Sequence, residues 1–180
     1  MSEAAPPPAE LTRMVKARPL PADPVIIEAS AAECAALARR FGLGAVESLR
    51  AEVALEPKAR AIRATGRLRA AIMQPCAISG EDFPNVIDEP IDLRFVEDHQ
   101  RPAADNTVIE IELAADDCDE IAYTGDMFDL GEAVAQTLGL AIDPYAEGPN
   151  ADAARQAAGI VKEGEQDGPL AALLAGLKKD

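Results

Sequence analysis

Residues 46–72 read VESLRAEVALEPKARAIRATGRLRAAI, and this stretch decides the fold. Leu49, Ala51, Val53 and Leu55 alternate with Ser48, Arg50 and Glu52. A period of two turns one set toward a core and the other toward water. After Pro57 and Lys58 the alternation resumes, with Ile62, Ala64, Gly66, Leu68, Ala70 and Ile72 inward and Arg63, Thr65, Arg67 and Arg69 outward. Two half-buried strands joined by a short break predict a long antiparallel hairpin.

Working outward, Ser30-Ala-Ala-Glu33 is a capping box, in which hydroxyl and carboxylate each satisfy a backbone amide. Cys34, Leu37, Ala38 and Phe41 repeat at helical spacing behind it, Arg39 and Arg40 lie outside that stripe, and Gly42 supplies a stop. A second helix starts at Asp129-Leu-Gly-Glu132, another Asp-x-x-Glu cap, and buries Leu130, Val134, Thr137, Leu138 and Ala141 before Asp143-Pro144 ends it. Shorter strands are expected at residues 11–18 and 25–28, around Ile91, Leu93 and Phe95, and around Ile109, Ile111 and Leu113. The expected fold is α+β: a mainly antiparallel, twisted sheet curled toward a barrel, with two packed helices.

Residues 1–10 read as a disordered arm, 11–145 as the α+β domain and 146–168 as a flexible linker with marginal helix at 151–158. In residues 169–180 Leu170, Leu173, Leu174 and Leu177 share one face, and Lys178 and Lys179 suit the negative end of a helix dipole. This C-terminal helix docks either on its own domain or on a partner; amphipathicity serves both.

With 48% apolar residues but 4 Phe, 2 Tyr and no Trp, the core must be mostly aliphatic. Three widely separated cysteines, Cys34, Cys76 and Cys118, give neither a disulfide framework nor paired zinc spacing. No apolar run spans a bilayer and no signal peptide opens the chain, so the cytoplasm is the expected compartment. The net charge of -15 opposes the usual signature of a nucleic-acid binder. Its distribution is uneven: residues 1–74 hold 11 basic against 8 acidic side chains, and residues 75–180 hold 6 against 24.

Candidate chemistry is sparse. The only histidine, His99, sits in a polar loop with no nucleophile motif around it, and no phosphate-cradling glycine loop is present. No enzyme activity, cofactor or metal is expected. Lys58, Arg60, Arg63, Arg67 and Arg69 form the one sustained basic run. Arg63, Arg67 and Arg69 either meet phosphates from an exposed strand face or pair internally with Glu52 and other acids across the sheet. Asp116, Asp117, Asp119, Glu120 and Asp126 belong to an acidic belt, a solvated loop that could also receive a basic partner. A low-pKa thiol needs nearby positive charge, and the acids closest to Cys76 are Glu81 and Asp82, so Cys76 reads as structural.

The order of these pieces resembles the YceD-like family of large ribosomal RNA subunit accumulation proteins. The residues that carry the resemblance are Cys76 after the hairpin, Asp129, Leu130, Gly131 and Glu132 with the helix to Leu140, Pro144 in Asp-Pro-Tyr, and the closing leucine helix. Where the family often has Cys-x-Arg-Cys, this chain keeps Cys76 and has Ile78 and Ser79 at the positions of the Arg and the second Cys. The resemblance implies a bacterial, cytoplasmic, non-catalytic adaptor in large-subunit biogenesis that supports accumulation or processing of the ribosomal RNA. Its implied partners are that RNA or its precursor, a basic ribosomal protein, or both. The alternative is a holdase-like acidic binder of a basic ribosomal protein that never touches RNA.

Overall fold

The structure, a computed structural model, describes residues 10–59, 61–98 and 120–160. In chain order the described elements are β1 (Met14–Lys16), β2 (Val25–Glu28), α1 (Ala31–Phe41), β3 (Ala45–Pro57), β4 (Ala61–Pro75), β5 (Asp82–Glu97), β6 (Glu120–Tyr123), β7 (Met127–Asp129), α2 (Leu130–Ala141) and α3 (Ala151–Ala157). The chain divides into two compact units. The described part of the first is 10–59, 61–74, 84–98 and 120–143, and that of the second is 75–83 with 144–160.

The first unit holds a five-stranded sheet in the order β2-β3-β4-β5-β6 and a separate two-stranded sheet, β1-β7. The predicted hairpin is β3 and β4, antiparallel from Pro57↔Ile62 to Ala45↔Met73, with a register shift between Val46 and Ser48. Leu49, Ala51, Val53, Ile62, Ala64, Leu68, Ala70 and Ile72 are buried on one face, as the alternation requires. Gly66 differs from the expected inward set and is exposed.

Among the described residues the sheet is open rather than closed into a barrel, with the four-residue strands β2 and β6 at opposite edges. Parallel pairing of β6 on β5 and the β1-β7 pair are both absent from the sequence reading. The strand expected around residues 109–113, the first nine residues of the N-terminal arm and the C-terminal leucine helix lie outside the described residues.

Both predicted helices form. On α1, Ser30 and Glu33 make the reciprocal capping box, and Cys34, Leu37 and Ala38 are buried. On α2 only half of the expected box exists. Asp129 accepts from the amides of Gly131 and Glu132, whereas the Glu132 carboxylate turns away to Arg40, at 2.7 and 2.8 Å. The core is largely aliphatic, but Phe128 of β7 meets Phe95 of β5 at 4.3 Å and Tyr123 of β6 at 5.7 Å between ring centroids. Packed aromatic pairs contribute about 0.5–1.5 kcal/mol beyond the area they bury.

Candidate functional site

The outer face of the five-stranded sheet is built by the residues that alternate with the core. Arg50 on β3, Arg63, Arg67 and Arg69 on β4, and Arg94 on β5 carry its positive charge, and each is held by a carboxylate. Glu28 of β2 holds Arg50, Asp92 of β5 holds Arg63 through two bonds of 2.7 and 2.9 Å, and Glu120 of β6 lies 3.3 Å from Arg94. Asp88 of β5 serves two cations at once: it hydrogen-bonds Arg67 and lies 3.4 Å from Arg69. As the β4 partner advances by four from Arg63 to Arg67, the β5 partner retreats by four from Asp92 to Asp88, as an antiparallel neighbour requires.

The internal pairing weighed for these arginines therefore occurs, with β5 supplying the carboxylates. Glu52 stands opposite Arg67 in the β3-β4 register. Hydrogen bonding to Arg67 holds the Asp88 carboxyl below its ordinary value, with the charges of Arg67 and Arg69 adding to the effect. The Arg63 bond does the same for Asp92. Such exposed pairs contribute little to stability, and salt screens them.

Arg50, absent from the basic run read from sequence, joins this face through register alone: it lies directly opposite Arg69. Next to them Gly66 lets the strands approach closely, since a Cβ there would lie 2.0 Å from the Glu52 carbonyl oxygen. An open depression of about 400 Å³ lies here, lined by Arg50, Arg67, Arg69, Glu52, Thr65 and Gly66 among others.

The other candidates scatter. Lys58 sits at the hairpin end, 3.0 Å from Glu56, and its backbone amide donates to the Ala61 carbonyl. Of the acidic belt, Glu120 is the β6 partner of Arg94, and the Asp126 carbonyl accepts from the Ala17 amide. Arg60, His99, Asp116, Asp117 and Asp119 lie outside the described residues.

The Asp-Leu-Gly-Glu residues knit the first unit together. Asp129 Oδ1 accepts from the amides of Arg13, Gly131 and Glu132, and Leu130 is fully buried. A Cβ on Gly131 would come within 2.6 Å of the Arg13 nitrogen and 2.7 Å of the Leu11 carbonyl oxygen. Arg40, bound to both Glu132 and Glu10, also lies 5.3 Å from the Phe41 ring centre. Pro144, in the second unit, enters a turn.

In the second unit the Cys76 sulfur is buried and accepts from the amides of Ile78 and Ser79, each at 3.4 Å. Hydrogen bonds from Ser79, side chain first and then backbone, bring the thiol down to about 7, with further help from the Gly148 and Ile78 amides against the opposing effect of burial. The sequence reading sought a cation for such a shift. The Ser79 side chain and backbone amides lower it instead, in a turn closed by Gly80 N–H to Cys76 O and Cys76 N–H to Glu81 O, both 2.9 Å.

A family model described as large ribosomal RNA subunit accumulation protein YceD matches residues 64–178, more than half of the chain. The chain belongs to the YceD family. The family's name ties it to accumulation of large-subunit ribosomal RNA. The matched span takes in Arg67, Arg69, the Cys76 turn and α2, and begins after Arg50 and Arg63. No curated protein and no solved structure matches the chain. Among the described residues no helix is long and apolar enough to cross a membrane.

Proposed function

We propose that this YceD-family chain supports large-subunit ribosomal RNA accumulation as a non-enzymatic adaptor in the cytoplasm, and that the outer sheet face is where it meets the RNA. The observation that carries this reading is the set of five arginines on one exposed face: Arg50, Arg63, Arg67, Arg69 and Arg94. Along a strand, alternate residues stand about 7 Å apart, a spacing that lets neighbouring guanidiniums reach separate phosphates. Because each exposed ion pair contributes little, a guanidinium can exchange a carboxylate for a phosphate at small cost.

The test is crosslinking of RNA to the full chain in cells, on wild type and on Arg63, Arg67 and Arg69 changed together to Ser, with large-subunit precursor levels followed in parallel. Loss of crosslinks with the fold intact, accompanied by precursor build-up, is expected. Unchanged crosslinks would move RNA contact off this face. Unaltered precursors after deletion of the gene would remove the biogenesis role itself.

A second reading, a holdase-like binder of a basic ribosomal protein, draws on the net charge of -15 and on the 12 acids against one base, Arg101, between residues 97 and 132. Like charge repels RNA and attracts a basic protein at long range. A low-salt pull-down that recovers a basic ribosomal protein but no RNA would select it.

A further inference from the structure

We propose that the depression beside Gly66 is a subsite for one phosphodiester of the RNA backbone, gripped by Arg50, Arg67 and Arg69. The proposal rests on the reading of the outer face as RNA-facing and names where on that face the grip lies.

The argument begins with a pairing that folding alone disfavours. Arg50 and Arg69 are direct cross-strand partners on an exposed face. Like charges in that position destabilise an antiparallel pair, and opposite charges stabilise it. The carboxylates that hold the two arginines stand on the far sides: Glu28 on β2 for Arg50 and Asp88 on β5 for Arg69. The space between them is the depression, which Glu52, Thr65 and Gly66 also line. An anion placed there would face opposed guanidiniums and convert a repulsive pair into a bridged one.

Donor arithmetic agrees. Asp88 engages Arg67 and Arg69 through the Nε of each. A guanidinium has five N–H donors in a fixed fork, so the terminal nitrogens of both can serve a second acceptor. Phosphate oxygens suit that fork better than a point charge, and every cation lining the depression is arginine. Glu52 also lines it and opposes an anion. Three cations and one carboxylate line the depression, Glu28 and Asp88 hold the arginines from its far sides, and Glu52 sets a direction for the test.

Labelled single-stranded RNA is titrated onto the full chain at several salt concentrations, with wild type, Arg50→Ser/Arg69→Ser, Arg63→Ser/Arg94→Ser and Glu52→Gln. If the subsite exists, the Arg50→Ser/Arg69→Ser protein binds more weakly, and its slope of log affinity on log salt is shallower by about 0.7, the value for one phosphate contact on a single strand. Glu52→Gln tightens binding, and that variant carries the test if the double Ser change unfolds the protein; unchanged affinity in Glu52→Gln then overturns the subsite. Unaltered affinity and slope in a folded Arg50→Ser/Arg69→Ser protein, with loss in Arg63→Ser/Arg94→Ser, would overturn the subsite and leave the RNA-facing reading standing. No RNA binding by wild type would overturn both. Displacement of the RNA by inorganic phosphate at equal phosphate concentration would show a free-anion site and overturn the assignment to RNA.

Discussion

At Cys76 the groups that depress the thiol are a serine hydroxyl and amides from Ile78, Ser79 and Gly148. A backbone amide is donated by any non-proline residue, so Ser79 is the one letter of the sequence that contributes its own side chain to this nest. With Cys34 and Cys118 changed to Ser, thiolate absorbance should titrate with a midpoint near 7, and Ser79→Ala should move that midpoint up. A depressed pKa stabilises the folded thiolate. Its contribution is therefore complete above the ordinary thiol value of 9.0 and disappears as the pH falls through about 7. A wild-type midpoint at the ordinary value would mean that the nest does not hold the anion. Gly66 is the other residue whose role emerges only from three dimensions. Sequence alternation assigned it to the core, but the missing Cβ serves the close approach to the Glu52 carbonyl. Gly66→Ala should cost about 1–3 kcal/mol in urea unfolding as β3 and β4 are forced apart. Ala at Thr65, one residue away, provides the comparison.

Among the elements, α1, β3 and β4 were legible because their signals are local: a capping box in four residues and a two-residue period sustained over a long hairpin. β6 and β7 were not, because four and three residues hold no period and their partners lie far away in sequence. The Asp129 cap shows an intermediate case. Its position was readable, but the diversion of Glu132 to Arg40 depends on α1 lying within reach. Asp129→Ala should cost about 2 kcal/mol, the upper range for a helix cap, because an Arg13 amide is orphaned together with two of the helix's own. Chemical denaturation monitored by far-ultraviolet dichroism checks it; a loss below about 0.5 kcal/mol would show that water replaces the carboxylate. At α1, the Arg13 bond, helped by the Ser30 amide, lowers Glu33 from 4.5 to about 2. A lowered carboxyl stabilises the fold fully above 4.5 and ceases to do so as the pH falls toward 2. Acid titration of wild type against Glu33→Gln should show stability curves that converge over that window. Parallel curves would place the stabilisation elsewhere.

For the whole molecule, the sequence conveyed total charge but not its local balance. Lys58, Arg60, Arg63, Arg67 and Arg69 read as one basic stretch, and the sheet then set Asp88 and Asp92 against three of them and Arg50 beside Arg69. Which cations share a face follows from register, and register is a property of two strands together.

The β1-β7 pair adds a consequence in time. Met14–Lys16 pairs with residues 127–129, and Leu11, Val15, Phe128, Leu130 and Val134 share one core. A chain is synthesised from its N-terminus, so β1 emerges long before β7, its strand partner among the described residues, exists. The β3-β4 hairpin can form early on the ribosome, whereas β1 and the face of α1 toward Glu132 must wait until α2 clears the exit tunnel. Nascent chains stalled before α2 has emerged should remain open to protease near Met14, and chains stalled well after it should be protected there. A factor named for the accumulation of ribosomal RNA would thus close its β1-β7 sheet only after α2 has been translated.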